Sequence, residues 1–286
     1  MKTRIITAIV GILVLIGVMF TFNTMVFNLV IAAITLIAIH EIYSALGFEK
    51  KDWLMYAVLV PYTLLVMLSS YSAMRKLVMP MSFVLVTFFA IYLVVRNGTI
   101  SYQKASGLLV FSGIVIFCFY SFVLLKERLP VEKFGYDAVF FILLILCFAW
   151  GGDTAAYFAG RAFGRRKLAP IVSPHKTVEG AVGGVLGSMA AGCVLTLVYS
   201  LLSKTYNVLS IHVLARHYMV LLGMGAVASV LGILGDLFAS AVKRQAGIKD
   251  YGTIFPGHGG ILDRFDSVMF IAPFVSIAVR YFFYLL

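Results

Sequence analysis

A chain of 286 residues that is 62% hydrophobic and only 12% charged differs from soluble domains, which are nearer half apolar and a quarter charged. This composition excludes an ordinary soluble protein and predicts a polytopic membrane protein. The net charge of +11 does not indicate nucleic-acid binding, because the basic residues are scattered through short loops between apolar runs. Positive cytoplasmic loops and anionic lipid headgroups explain most of that excess.

Apolar runs of about 20 residues, the length that crosses the hydrocarbon core of a bilayer, follow one another along the chain. The first run comes after Lys2 and Arg4 and so resembles a signal peptide, but no small-residue cleavage site precedes a polar domain, and we expect a membrane span here. The sequence predicts an all-α polytopic integral membrane protein with about nine transmembrane helices. The predicted spans are about 5–22, 25–45, 53–71, 78–95, 105–125, 136–160, 178–203, 217–241 and 267–285.

The basic residues between these runs predict the orientation. Most of the 23 Lys and Arg residues fall on the side that carries the N-terminus, and basic loops remain in the cytoplasm. We therefore expect a multi-pass protein of the inner (cytoplasmic) cell membrane with a cytoplasmic N-terminus and an external C-terminus. Residues 1–135 are expected to form a scaffold of about five helices. Residues 136–286 are expected to form a catalytic region of about four helices, with loops 161–177 and 242–266 facing the cytoplasm.

Small residues recur at close spacing in the seventh and eighth predicted spans. Such spacing lets helix backbones approach each other. Packing inside one subunit and a seam between two subunits both explain the pattern. The residues concerned are Gly180, Gly183, Gly184, Gly187, Ser188, Gly225, Ser229, Gly232 and Gly235.

Four carboxylates are expected at similar depth near the cytoplasmic ends of three spans. Asp153 lies late in the sixth span and Asp236 late in the eighth, while Asp263 and Asp266 share one helix face at the start of the ninth. Ionisable residues at such depth are costly and usually functional. Because Mg²⁺ takes one or two carboxylates together with substrate phosphates, the pattern predicts a catalytic magnesium site. The alternative for Asp263 and Asp266 is capping of the ninth helix and pairing with Arg264.

Cations and glycines crowd together in the same stretch of the chain. Lys243, Arg244 and Lys249 are predicted to bind phosphate oxygens, with contact to lipid headgroups as the alternative. Gly259 and Gly260 let the backbone come close to a ligand.

Further substrate contacts are predicted in this stretch and between the sixth and seventh spans. The latter segment is not a P-loop, because the Gly-x4-Gly-Lys-Ser/Thr spacing is absent. A Ser-Pro helix start capped by Glu179 is the alternative interpretation. The additional predicted phosphate-binding residues are Lys167, Ser173, Lys176, Thr177, His258 and Arg264.

Residues 240–266 resemble the signature of the phosphatidate cytidylyltransferases, or CDP-diacylglycerol synthases. The pattern is Ser-x-apolar-Lys-Arg-x4-Lys-Asp-x-small-x2-apolar-Pro-x-His-Gly-Gly-apolar-x-Asp-Arg-apolar-Asp. Residues 150–180, with Gly-Asp-Thr-Ala-Ala-Tyr and Ser-Pro-x-Lys-Thr-x-Glu-Gly, also resemble this family. The signature is met at Ser240, Val242, Lys243, Arg244, Lys249, Asp250, Gly252, Phe255, Pro256, His258, Gly259, Gly260, Ile261, Asp263, Arg264, Phe265 and Asp266.

The resemblance implies an integral membrane homodimer that condenses CTP with phosphatidate during phospholipid biosynthesis. The products are CDP-diacylglycerol and pyrophosphate. Mg²⁺ is the implied cofactor, in a site for two cations of which the second is divalent or monovalent. The resemblance places Asp236, Asp263, Asp266 and Lys243 in the catalytic centre, adds Asp153 and Glu179 to the metal site, and adds Lys176 to the nucleotide site.

Two other functions fit parts of the sequence. A CTP-dependent lipid kinase of the polyprenol or phytol type would transfer the γ-phosphoryl group to an alcohol, but the complete signature through Asp266 favours the cytidylyltransferase. A membrane transporter would explain the spans and the buried aspartates, but not the spacing from Lys243 to Asp266.

Overall fold

The computed structural model of the protein describes residues 2–206, 215–255 and 259–280. Helices dominate these residues, with one short pair of strands between the ninth and tenth helices. A 3-10 turn at Lys50–Asp52 and a π-helical turn at Cys147–Gly151 complete the regular structure. The elements are α1 (Lys2–Phe20), α2 (Met25–Ala45), α3 (Trp53–Ala57), α4 (Leu59–Met67), α5 (Ser72–Val95), α6 (Tyr102–Arg128), α7 (Val131–Phe134), α8 (Asp137–Leu146), α9 (Gly152–Phe163), β1 (Lys167–Ala169), β2 (Ser173–Thr177), α10 (Val178–Tyr206), α11 (Ala215–Gln245) and α12 (Leu262–Ala278).

Six of the predicted spans coincide with described helices that are long and apolar enough to cross a membrane. The helical, multi-pass character predicted from hydropathy is thereby confirmed. The third predicted span is divided between α3 and α4, and the first contributes the apolar stretch Val10–Phe20. The ninth is described as α12 up to Ala278. The count of nine spans and the orientation of the termini remain predictions.

The sixth predicted span is helical throughout but changes its winding once. A π-helical turn at Cys147–Gly151 joins α8 to α9. Such a turn carries an extra residue and is often found at functional sites. Here it directly precedes the first turn of α9, which contains Asp153.

The predicted cytoplasmic loop 161–177 contains an antiparallel hairpin. Strands β1 and β2 pair Lys167 with Thr177 and Ala169 with Ser173. The hairpin leads directly into α10, where the Thr177 hydroxyl accepts a hydrogen bond from the Gly180 backbone N–H at 3.1 Å. This is an N-cap, since a hydroxyl oxygen satisfies one of the first free N–H groups of a helix.

The small residues of α10 and α11 pack against neighbouring helices of the same chain. A methyl group added at Gly183 would overlap the side chain of Ala159 on α9, and one added at Gly187 would overlap Ala155. Along α11, a Cβ at Gly235 would meet the backbone carbonyl of Asp266. Close packing within one chain therefore accounts for these positions.

The described chain divides into two compact units. The first comprises Met1–Val123 with Gln245–Arg264, and the second comprises Leu124–Arg244 with Phe265–Leu286. The segment that follows α11 thus belongs to the same compact unit as residues 1–123. The predicted division of labour between residues 1–135 and 136–286 concerns function and stays a prediction.

Candidate active site

Three of the predicted carboxylates come together in the second unit. Asp153 stands in the first turn of α9, Asp236 in α11 and Asp266 in α12. Asp266 lies close enough to the other two for their charges to interact. The Ser267 hydroxyl donates to Oδ2 of Asp153 at 3.0 Å. These three aspartates are called the acidic group below.

Two lysines supply positive charge to the acidic group. Nζ of Lys176, on β2, lies 2.6 Å from Oδ2 of Asp236, and the two side chains are 24% and 28% exposed. The Ser240 hydroxyl donates to the other oxygen of Asp236 at 3.2 Å. Lys243 interacts with the charge of Asp266, and it shares a helix face with Asp236 and Ser240 because residues four and seven apart align along a helix.

The acidic group has the donor chemistry of a magnesium site. Across the described residues, no three His, Cys, Asp or Glu side chains form a ready-made cluster of metal ligands. Mg²⁺ does not require one, since it keeps several waters and uses one or two carboxylates together with substrate phosphates. Carboxylates whose negative charges act on one another favour a nearby cation, a role that lysine ammonium groups or a metal ion can fill. Asp236 and Asp266 therefore fit a cation that completes its shell with water and phosphate.

Glu179, predicted as a metal ligand, lies in the first turn of α10 and holds the chain that precedes β1. Its Oε2 accepts hydrogen bonds from the backbone N–H groups of Arg165 at 3.0 Å and Arg166 at 3.2 Å. These bonds link the end of α9 to the start of α10 and stabilise the base of the hairpin. The metal-binding role of Glu179 stays a prediction.

The hairpin and the end of α11 form a basic surface on the second unit. Lys167 is exposed on β1, and Arg244 is exposed at the end of α11 with its Nε 3.5 Å from the Val172 carbonyl oxygen. Ser173 is half-buried at the start of β2. Exposed guanidinium and ammonium groups suit the recognition of phosphate.

Asp263 belongs to the first unit and organises the segment before α12. It is 7% exposed, and its Oδ2 accepts hydrogen bonds from the backbone N–H groups of Tyr251 at 2.8 Å and Gly260 at 2.9 Å. This side chain therefore reaches back to preceding backbone, as acidic residues in first helical turns do. These two N–H groups precede α12, so the bonds order the segment before the helix, and metal binding by Asp263 stays a prediction.

The other predicted substrate-binding residues near the start of α12 differ in their surroundings. Lys249 and Arg264 are exposed. Gly259 has a positive φ of +82°, which favours glycine, and its carbonyl accepts a hydrogen bond from the Phe255 N–H at 3.0 Å. His258 lies outside the described residues.

Sequence reasoning missed Glu41. This carboxylate lies in α2 and is 4% exposed. Its oxygens accept hydrogen bonds from the backbone N–H groups of Ile261 and Leu262, 220 or more positions later in the chain. The available signal was an acidic residue inside an apolar span, which is costly there and usually functional. No local pattern connects it to its partners.

Similarity to known proteins covers nearly the whole chain. Residues 2–282 match the cytidylyltransferase family. A phosphatidate cytidylyltransferase of Staphylococcus haemolyticus (strain JCSC1435) is 31% identical over 97% of this chain and 98% of its own length. One of Staphylococcus aureus (strain COL) is 30% identical with the same coverage. One of Bacillus subtilis (strain 168) is 37% identical over 64% of this chain, which spans 61% of that protein. The chain belongs to the cytidylyltransferase family.

Proposed function

We propose that the protein transfers the cytidylyl group of CTP to phosphatidate, forming CDP-diacylglycerol and pyrophosphate. The observation that carries this proposal is the acidic group, with Lys176 and Lys243 beside it. This group lies near helix ends in a chain of the cytidylyltransferase family. The names of the three relatives support phosphatidate as the acceptor. Carboxylates for a cation and ammonium groups for phosphate are the groups that nucleotidyl transfer requires.

The reaction needs positioning more than proton transfer. A phosphate oxygen of phosphatidate attacks the α-phosphorus of CTP, and the bond from that phosphorus to the bridging oxygen breaks. The bonding electrons leave with pyrophosphate. Because the attacking oxygen is already ionised near neutral pH, no strong base is required. The barrier lies in bringing two polyanions together and in stabilising charge on the leaving group.

The residues of the second unit suit these tasks. Lys176 and Lys243 offset phosphate charge beside the carboxylates, while the exposed Lys167 and Arg244 attract anionic substrates from solution. Asp236 and Asp266 would hold Mg²⁺. When bound, the ion neutralises phosphate oxygens and polarises the phosphoryl group. Asp153, held by Ser267, is proposed to support that site.

Membrane placement follows from the charge distribution. We propose that the N-terminus and the acidic group face the cytoplasm, because basic loops remain on that side. CTP would then arrive from water and phosphatidate from the bilayer through a lateral opening. Nine spans and a homodimer are retained as proposals, the former from hydropathy and the latter from the family resemblance.

The test uses purified protein in detergent with phosphatidate and Mg²⁺, and CTP labelled with ³²P at either the α or the γ position. We expect α label in the lipid product and γ label in pyrophosphate, with Asp266→Asn as the inactive control. Transfer of γ label to a lipid alcohol would replace this proposal with the lipid kinase. Absence of turnover with any lipid would favour a transport function.

A further inference from the structure

A carboxylate inside the second helix holds the segment that leads into α12. Oε1 of Glu41 accepts a hydrogen bond from the Ile261 N–H at 2.8 Å, and Oε2 accepts one from the Leu262 N–H at 2.9 Å. Leu262 is the first residue of α12, and N–H groups in the first turn of a helix have no partner within it. The carboxylate also carries the charge that a helix N-terminus favours.

We propose that Glu41 is a positioning residue for nucleotidyl transfer. It acts on the signature loop, which is defined as residues 246–255 and 259–261. The proposal rests on the proposed function, because it assumes that Lys249, Gly259 and Gly260 of this loop contact substrate phosphates. Glu41 itself touches loop backbone and is not assigned a contact with substrate.

Two glycines of the loop lie directly against the Glu41 carboxylate. A Cβ added to Gly252 would stand 2.5 Å from Oε1 of Glu41, and one added to Gly260 would stand closer still. Real Cβ atoms essentially never approach another heavy atom below 3.0 Å. The carboxylate therefore explains physically why the signature requires a small residue at 252 and glycine at 260.

The contact between Gly260 and Glu41 is connected to Asp263 through a hydrogen bond. The Gly260 N–H donates to Oδ2 of Asp263, while a Cβ added at Gly260 would overlap the Glu41 carboxylate. Tyr251 donates to that same oxygen of Asp263 from the far side of the loop. A shift of the Glu41 carboxylate would move Gly260 and with it the hydrogen bonds that orient Asp263. One buried acid thus sets the conformation of a loop in which several predicted substrate contacts lie.

The test is Glu41→Gln in the full-length protein. Glutamine keeps the shape and one acceptor oxygen but turns an NH₂ donor toward a backbone N–H. We expect kcat/KM for CTP to fall by about 10- to 100-fold, as for the loss of one charged hydrogen bond, with a raised KM for CTP. Amide hydrogen exchange at Ile261 and Leu262 should become faster. The matched control is Asp52→Asn, a buried acid of the same unit that bonds the Glu49 N–H and should leave both readouts unchanged.

A second variant, Gly252→Ala, crowds the carboxylate from the loop side and should reproduce both changes if Glu41→Gln does not fold. The proposal would be overturned if the variants left both the KM for CTP and the amide exchange of Ile261 and Leu262 unchanged. A fall in kcat alone would not support it, because a smaller fraction of active protein lowers kcat without changing KM. Equal effects of Asp52→Asn would overturn it as well, since general destabilisation would explain them. Failure of the proposed function is seen separately, as absence of CDP-diacylglycerol formation by the wild-type protein.

Discussion

Replacing Lys176 with methionine tests the charge balance of the acidic group. The change keeps an apolar side chain of similar length and removes the ammonium that lies 2.6 Å from Oδ2 of Asp236. Exposed ion pairs contribute about 0–1 kcal/mol, whereas breaking a buried pair costs about 3–5 kcal/mol. Because these side chains are 24% and 28% exposed, we expect the free energy of unfolding to fall by about 1–3 kcal/mol. Activity is affected separately, because Lys176 is proposed to offset phosphate charge. The loss of one charged hydrogen bond, about 1.5–3 kcal/mol, corresponds to roughly a 10- to 150-fold fall in kcat/KM.

The same variant has a second, opposite effect. The Lys176 ammonium contacts Oδ2 of Asp236, and a divalent cation bound by this carboxylate would compete with it. Without the ammonium, the Mg²⁺ concentration that gives half-maximal activity should fall, even though kcat/KM is lower. The assay follows ³²P from α-labelled CTP into lipid across a Mg²⁺ titration.

The control is Lys51→Met, which breaks the Lys51–Glu49 pair at 2.9 Å between side chains that are 59% and 69% exposed. It should remain close to wild type, because exposed pairs contribute little. If Lys176→Met also retains wild-type kcat/KM, the assignment of Lys176 to the active site is refuted. A raised Mg²⁺ requirement would refute the competition for Asp236.

Three further predictions concern the site and the helix packing. Asp236→Asn and Asp266→Asn should each lower kcat by about 100-fold or more, since electrostatic stabilisation is the main contribution here; wild-type turnover by either would contradict its role. Chelation by EDTA should abolish product formation and added Mg²⁺ restore it, so chelator-resistant activity would refute the proposed cation. Gly187→Leu should lower the thermal midpoint by several degrees, because overpacking against Ala155 costs about 1–3 kcal/mol. Gly223→Leu is its control, since no atom of the described residues lies within 4 Å of an added Cβ there, and an equal loss in both would contradict the packing argument.

Hydropathy predicted most helices closely because membrane insertion depends on local apolar length. The second span was predicted at the same bounds as α2, Met25–Ala45. The segment 161–177 was predicted only as a loop, and the β1–β2 hairpin within it was not predicted. Short strands of three and five residues leave too few positions for a periodic signal. The division of 53–71 into α3 and α4 was missed for a related reason, since hydropathy does not report a break in winding.

Among the candidate site residues, four aspartates were expected near one another because they are acids at the ends of separate spans. Three of them, Asp153, Asp236 and Asp266, lie together in the second unit, and their roles stay predictions. The partners of Asp263 were not predicted, because its bonds go to the backbone of Tyr251 and Gly260. Backbone groups are identical along the chain, so sequence patterns do not identify which ones a side chain will reach.

The sequence by itself determined the membrane class, most of the helix positions and the family signature, because hydrophobic length and motif spacing are local properties of the chain. The tertiary structure alone decided that Lys176 pairs with Asp236 and that Glu41 holds the backbone of Ile261, 220 positions away. Such contacts depend on which helix faces pack together. Packing selects partners by shape across the folded chain, and the close fit of Gly252 and Gly260 around one buried carboxylate is its result.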